Sequence, residues 1–318
     1  MEWRKLAGWV VVILAVGLVT ASRANAQQIV QDALAILPAD AVRLEYSNPS
    51  KLRSLPRYAQ LRDRYLGREL KVLETSLMQL GVQEEDVKEL VLSWEPADAA
   101  MEQMDGIATG RFDAQALAEH AKNQGISRTP IGSMEAYCFA GDSGTLCVMA
   151  VKGSEGAFGT PEALKKMAEV QAAQAPALAS KEQFVKLVEE GRADAPIWGV
   201  AIGPAVGDWF QGWLPEQNQV KLNWNQTFQG VEALTYSVNP SSKISLDANF
   251  ECGSDPATTN LQTLLVGIKA FQQMAWQTQY PNRPNPYAGL QVDSSNRRVH
   301  VALTADYDEL LPTANANP

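Results

Sequence analysis

Residues 231–250 read VEALTYSVNPSSKISLDANF and contain the clearest alternation of apolar and polar residues in the chain. From Ile244 to Phe250 apolar residues alternate with polar ones, and a period of two predicts a strand with one buried face. The apolar residues at 231–238 predict a second strand, and the turn formers at 239–242 join the two. We therefore predict that this part of the chain forms two neighbouring strands of a sheet.

The elements on either side of this pair repeat an order that occurs earlier in the chain. Downstream, Asp255-Pro256 predicts the start of a long helix, with Asp255 as the N-cap, and alternation at 299–303 predicts a final strand. Upstream, residues 197–202 predict a strand, and 204–226 contain at least one helix. In the first half, the same order is predicted by strands at 42–47, 90–94 and 107–112 and by helices at 50–80 and 114–124.

Several helix ends are marked by residues that cap or stop a helix. Such residues satisfy the free backbone groups of the first or last turn. We predict a stop at Gly81, a stop at Gly125, an N-cap at Asp113, a start at Thr160-Pro161 and a capping box formed by Ser180 and Gln183.

Both halves read strand–helix–strand–strand–helix–strand, which is the order of a split βαβ, ferredoxin-like unit. The predicted fold class is α+β, with two ferredoxin-like (βαββαβ) units in tandem and an intervening β-hairpin and helical segment. The segments that this implies are a signal peptide at 1–26, a first unit at 27–131, a hairpin and helical connection at 132–195, a second unit at 196–311 and a disordered tail at 312–318.

The first 26 residues have the composition of a secretory leader. Charged residues at positions 2, 4 and 5 precede an apolar run at 6–21, and Ala24-Asn25-Ala26 closes the segment. This order predicts cleavage between Ala26 and Gln27 and a periplasmic or secreted protein. The alternative is an uncleaved anchor, although the run is shorter than the ~20 residues that span a bilayer. We predict no membrane span in the mature chain.

Composition restricts the possible functions. The chain has 27 Lys and Arg against 36 Asp and Glu, a formal net charge of −9, and such a chain is repelled by nucleic acids. It has two histidines and three cysteines, none at the spacing of a known metal motif. We therefore predict no metal site, no cofactor and no nucleic-acid partner, with His120 and His300 as ordinary exposed residues.

The cysteines predict one disulfide bond. Cys138 and Cys147 flank the turn sequence Gly141-Asp142-Ser143-Gly144 symmetrically, so a two-residue hairpin would place them directly opposite each other. At a non-hydrogen-bonded position their Cα atoms would lie about 4.5 Å apart, within the disulfide range. Two buried free thiols are the alternative. Cys252 has no predicted partner and is interpreted as a small buried residue.

The same turn resembles the nucleophile tetrad of trypsin-like serine proteases, but the resemblance covers four residues only. That family continues with Gly-Pro, whereas Thr145-Leu146 follows here, and neither histidine has the context of a general base. We therefore predict no catalytic residue. A carboxylate pair of the glycosidase type stays open, because nothing in the sequence selects two of the many acidic residues.

Two regions are candidates for interaction with a partner. The segment 51–71 is rich in basic residues and could contact an anionic partner or an envelope polymer, or it could be a solvated helix face. Its candidate residues are Arg57, Arg62, Arg64 and Arg68. Trp209 and Trp213 lie one helical turn apart and could bind a sugar ring or a protein, or they could belong to the core. The Pro-rich loop at 280–287 is a lesser candidate.

The sequence also resembles uncharacterised bacterial secreted proteins built of tandem α+β units. The residues that carry this resemblance are Leu37-Pro38-Ala39-Asp40, Phe158-Gly159-Thr160-Pro161-Glu162 and Pro196-Ile197-Trp198. The resemblance implies no activity and transfers no catalytic residue. The function we predict is binding of an unknown protein or envelope component without catalysis. The alternatives are a carboxylate-dependent hydrolase of envelope polysaccharide and a carrier of an apolar ligand.

Overall fold

A computed structural model describes residues 28–55, 57–65, 68–96, 103–132, 134–141, 144–192, 194–213 and 224–310. Strands in these ranges form one 12-stranded sheet in the order β11-β12-β10-β9-β8-β1-β2-β3-β7-β6-β5-β4. The strands are β1 (Arg43–Ser47), β2 (Val87–Glu95), β3 (Gln103–Gly110), β4 (Arg128–Ile131), β5 (Met134–Gly141), β6 (Gly144–Lys152), β7 (Glu155–Gly159), β8 (Ile197–Ile202), β9 (Val231–Pro240), β10 (Ile244–Cys252), β11 (Gln291–Ser295) and β12 (Arg298–Ala305). The predicted leader with its cleavage site at Ala26 and Gln27, and the predicted tail at 312–318, lie outside the described residues.

The centre of the sheet is the antiparallel pair β1 and β8, where the first half of the chain meets the second. From β1 the sheet continues outward through β2 and β3, and from β8 through β9 and β10. In each half the chain then reaches the outer edge and returns, through β4 to β7 in the first half and through β11 and β12 in the second. The two halves therefore form one continuous sheet.

The mixed α and β composition agrees with the prediction, but the ferredoxin-like arrangement is not confirmed. A split βαβ unit contains parallel strands joined by helices, whereas β1 and β2 are direct antiparallel neighbours, as are β8 and β9. The order of elements along a chain does not decide their pairing, because a helical connection can return the chain to either end of the sheet. The strands within the predicted connection, residues 132–195, belong to the same sheet, because β7 pairs with β3. The predicted domain boundaries remain predictions.

Helices cover both faces of the sheet. Adjacent residues of one strand enter different cores: Val91 packs with α1, α6 and α7, and Leu92 packs with α4 and α5. In the second half, α8, α9 and α10 cover the face that α4 and α5 cover in the first. Among the described residues, no helix has the length and apolar content to cross a membrane. The helices are α1 (28–36), α2 (Pro49–Leu52), α3 (Tyr58–Tyr65), α4 (Arg68–Gln79), α5 (Ala114–Asn123), α6 (Pro161–Gln171), α7 (Glu182–Gly191), α8 (Ala205–Trp213), α9 (Trp224–Thr227), α10 (Asp255–Gln279) and α11 (Tyr307–Leu310).

Several predicted helix ends are found where the sequence places them. Gly81 follows α4 with a φ of 76°, a conformation that favours glycine. The Asp113 carboxylate accepts a hydrogen bond of 2.8 Å from the Ala116 amide, and the Thr160 hydroxyl oxygen accepts one of 3.1 Å from the Ala163 amide.

Two predicted caps are wrong by a small shift in position. The helix α7 has Lys181 as its N-cap without a side-chain cap, so Ser180 and Gln183 form no capping box. The Ser180 hydroxyl instead donates to the Ala177 carbonyl. The N-cap of α10 is Ser254 rather than Asp255, which is the first helical residue. Ser and Asp are equally good caps, so the sequence alone does not decide between neighbours.

The predicted disulfide bond is confirmed. Cys138 on β5 and Cys147 on β6 are direct partners, their sulfur atoms are bonded, and their Cα atoms lie 4.0 Å apart. Cys252 is a free, buried cysteine. Burial raises the pKa of the Cys252 thiol, which keeps it in the neutral form.

Candidate functional site

The predicted basic segment is engaged in contacts within the protein. Arg62 pairs with Glu74 and, at 3.2 Å, with Glu84. The Tyr58 hydroxyl donates to the same Glu84 carboxylate, and Arg53 donates to the Glu84 carbonyl oxygen at 2.7 Å. These contacts hold α3 against α4 and against the turn that precedes β2, so they have a structural role.

Arg57 is engaged in a similar way, because its guanidinium lies 2.5 Å from the Asp308 carboxylate of α11. It also lies over the ring of Tyr307, 5.9 Å from the centroid. The side chains of Arg64 and Arg68 lie outside the described part of the chain. The positive charge available to an anionic partner is therefore smaller than the composition of the segment suggests.

Trp209 belongs to the core rather than to an exposed aromatic face. Its side chain is 3% exposed, and its ring lies 4.6 Å from that of Tyr236 and 6.4 Å from that of Phe250. A ring buried in this way cannot stack on a sugar. The side chain of Trp213, the other candidate of this region, is outside the described residues.

The two histidines are at least partly exposed, His300 on β12 and His120 on α5. His300 lies on the exposed side of β12 and contacts the Asp247 carboxylate at 2.8 Å. His120 borders a surface pocket of about 370 Å³. Leu80, Phe112 and the Arg111–Asp86 ion pair also line this pocket. Within the described residues, no group of three or more His, Cys, Asp or Glu is arranged to hold a metal ion.

Glu45, the acidic residue of the central strand β1, also makes contacts within the protein. Glu45 of β1 pairs with Arg43 at 3.3 Å and accepts a hydrogen bond from the Tyr236 hydroxyl. The Arg43 guanidinium lies 3.8 Å from the centroid of the Trp94 ring. Burial and the Glu45 carboxylate raise the pKa of Tyr236, so its hydroxyl stays a hydrogen-bond donor. Glu45 is therefore a structural acceptor.

The longest helix, α10, carries an exposed face that the sequence did not single out. It spans 25 residues, about 37 Å, but only Thr258, Leu261, Leu265 and Gln272 are buried. Val266, Phe271 and Met274 are 48%, 43% and 61% exposed. At 100° per residue the exposed residues from Thr263 to Thr278 lie within an arc of about 140°. This uncharged face of α10 consists of Thr263, Val266, Gly267, Ala270, Phe271, Met274, Gln277 and Thr278.

The Pro-rich loop that follows α10 folds back on it. Trp276 donates to the Pro284 carbonyl at 2.9 Å, and Asn285 donates to the Gln273 carbonyl at 3.0 Å. The Trp276 ring packs 4.7 Å from that of Tyr280. The loop is therefore held against the helix and braces its C-terminal half next to the uncharged face.

The missed signal in the sequence is the near absence of charge in α10. Of its residues, only Asp255 and Lys269 carry a charge, and Asp255 is the first. Leu261 and Leu265 lie on the buried side of α10, and the spacing of such residues cannot show whether the opposite side is covered. Whether that side is covered depends on which elements pack around the helix, and the local sequence does not determine this.

Comparisons with known proteins identify a similar fold. No family model and no curated protein matches the sequence. Two solved structures are similar, those of crystal form I and crystal form IV of TP0453, each with 10% identity over 88% of this chain. Form I gives a TM-score of 0.50 over 95% of that chain, and form IV gives 0.47 over 94%. At this identity the similarity concerns the fold alone.

Proposed function

We propose that the protein is a non-catalytic, extracytoplasmic binding protein that holds a protein partner at the uncharged face of α10. The observation that carries the proposal is the exposure of Phe271 and Met274 on a helix face without charged side chains. The cores of protein interfaces are depleted of charged residues and enriched in aromatic residues and Met. An exposed helix face without a partner ordinarily carries charged and polar residues.

The chemistry of α10 favours a protein over a lipid surface. Helices that lie on membranes carry Lys and Arg on their polar face, whereas α10 has Lys269 as its one basic residue. The chain as a whole is acidic, with a formal net charge of −9, and is repelled by anionic lipids. The partner that fits is a protein with an apolar, uncharged groove.

The extracytoplasmic part of the proposal is supported by two features. The leader at 1–26 has the order of a signal peptide. The Cys138–Cys147 bond is of a kind that persists in oxidising compartments and is rare in the cytosol. Sequencing the N-terminus of the exported protein tests this part, with Gln27 expected as the first residue and Met1 contradicting it.

The binding surface is tested by site-specific photo-cross-linking in the cells that produce the protein. A photoreactive residue at Met274 is expected to give one discrete adduct with another protein, and Phe271→Glu should abolish it. The matched control is the same residue at Met78 of α4, which is 52% exposed but lies on a different helix. Equal adducts from both positions, an adduct with a second copy of this chain, or binding to phospholipid vesicles that Phe271→Glu abolishes would each contradict the proposal.

A further inference from the structure

Three polar side chains are buried next to one another under α6. Ser93 and Glu95 lie two residues apart on β2, and Asp105 of β3 is the direct antiparallel partner of Ser93. Alternate residues and direct partners share one face of a sheet. All three are buried, and Asp105 is 1% exposed. We call these three residues the buried acid cluster.

The oxygen atoms of the buried acid cluster need a donor. Both carboxylate oxygens of Asp105, Oγ of Ser93 and Oε1 of Glu95 lack a hydrogen-bond partner of ordinary geometry among the described residues, and the hydroxyl donor beside Asp105 is that of Ser93. Buried polar atoms nearly always have one, and an ionised carboxylate without partners is far more costly to bury than a neutral acid. A protonated Asp105 provides a hydroxyl donor that the ionised form lacks. The site therefore suits an Asp105 that holds its proton.

The charges around the cluster lead to the same conclusion. Nζ of Lys166 on α6 contacts Glu95 and lies 2.8 Å from Oδ2 of Asp40, in the turn before β1. The Lys166 ammonium is thus already paired with two carboxylates, those of Asp40 and Glu95. The Lys181 ammonium at the start of α7 donates to the Ala41 carbonyl instead. Burial, and then the charges of Glu95 and Asp40, raise the pKa of Asp105 to about 8, although the Ser93 hydroxyl and the Lys166 ammonium act in the opposite direction.

The start of α6 passes directly over Asp105. A β-carbon on Gly159, at the end of β7, would lie 2.9 Å from the β-carbon of Asp105 and 3.3 Å from that of Ala163. We propose that the buried acid cluster and Lys166 form a proton-dependent clasp that fastens the start of α6 to the sheet and loosens when the Asp105 proton passes to solvent. When Asp105 ionises, three carboxylates lie near the single ammonium of Lys166. Water can hydrate the Asp105 carboxylate only if α6 or the turn with Asp40 moves.

The direction of the pH dependence follows from the two states. In the closed state the pKa of Asp105 is about 8, whereas in an opened, hydrated state it returns towards the ordinary value of 3.8. Between these values the closed state binds more protons than the open state, so a rise in pH favours opening. The opening equilibrium should increase about tenfold per pH unit in this window and level off above it.

Hydrogen exchange of the α6 amides, residues 162–171, tests the clasp between pH 5 and 9 after correction for the intrinsic exchange rate. We expect protection in the unmodified protein to fall about tenfold per pH unit up to about pH 8 and then to level off. Asp105→Asn cannot ionise and should give protection that does not vary with pH. Asp293→Asn, on the exposed edge strand β11, is the matched control and should keep the original slope.

The proposal is overturned if the unmodified protein shows no slope in α6, or if Asp105→Asn keeps the slope. Because a substitution at a buried position can prevent folding, a second measurement uses the unmodified protein. The ¹³C resonance of the Asp105 side-chain carboxyl should titrate with a midpoint near pH 8. A midpoint below about pH 5, near the ordinary range of an Asp, would exclude the clasp.

Discussion

Tyr46 and Trp198 are stacked across the junction between the two halves of the sheet. They are direct partners on β1 and β8, with ring centroids 5.5 Å apart. The Tyr46 hydroxyl donates to Glu89 at 2.7 Å and accepts from Asn48 at 3.0 Å. Both rings belong to the core that also contains α1, α6 and α7. The hydrophobic core therefore runs through the junction without interruption.

Because this core is shared, we expect Trp198→Ala to destabilise both halves together. Truncation of a buried aromatic residue leaves a cavity and lowers the free energy of unfolding by about 3–5 kcal/mol. Urea unfolding monitored by circular dichroism should show one transition at a lower midpoint. Trp276→Ala, on the partly exposed side of α10, should cost less. Two separate transitions in the unmodified protein would contradict a shared core.

The Cys138–Cys147 bond closes a short loop, with a sequence separation of 9. A crosslink of this length stabilises a fold by about 2–3 kcal/mol through the entropy of the unfolded chain. Reduction should therefore lower the urea midpoint and add the mass of two hydrogens. Cys252→Ala removes the remaining thiol of the described residues and should leave both effects intact. An unchanged mass on reduction would disprove the bond.

Arg62 is expected to contribute to stability rather than to capture of an anionic partner. Arg62→Ala leaves the carboxylates of Glu74 and Glu84 without their shared guanidinium and should lower the free energy of unfolding by about 1 kcal/mol. Retention on immobilised heparin, a polyanion probe, should not change. The control is Lys165→Ala, which removes an exposed pair with Glu169 and should cost less. Reduced heparin retention together with unchanged stability would restore the binding hypothesis.

The sequence predicted elements better than it predicted their arrangement. Alternation located β10 to within two residues, and symmetric spacing around a turn paired Cys138 with Cys147. These features depend on local geometry, which the sequence encodes directly. The pairing of β1 with β8 joins segments about 150 residues apart, and its energy comes from burial of rings such as Trp198 that no local pattern pairs.

The functional candidates depended even more on the tertiary structure. The sequence left both a surface and a core position open for Trp209, and the packing of Tyr236 on it decides for the core. Asp105 is one of many acidic residues in the sequence, and it becomes distinctive because α6 buries it beside Glu95. Charge counting found the basic segment but could not show that Arg62 is already paired.

Gly81 and Gly125 offer a matched test of how α5 packs against the end of α4. Both have a positive φ, 76° and 69°, which costs an alanine about 1–2 kcal/mol. A β-carbon on Gly81 would lie 2.6 Å from the His120 ring, whereas one on Gly125 would meet no atom of the described residues within 4 Å. We therefore expect Gly81→Ala to lower the free energy of unfolding by more than Gly125→Ala does.

The two contributions at Gly81 can be separated by removing the ring. In a Gly81→Ala background, His120→Ala should recover the steric part of the loss and leave the backbone part, so the double variant should resemble Gly125→Ala. Urea unfolding of the unmodified protein, Gly81→Ala, Gly125→Ala and the double variant measures the free energy of unfolding of each. Equal losses for Gly81→Ala and Gly125→Ala would mean that the His120 ring moves aside at no cost, and that it does not hold α5 against the end of α4.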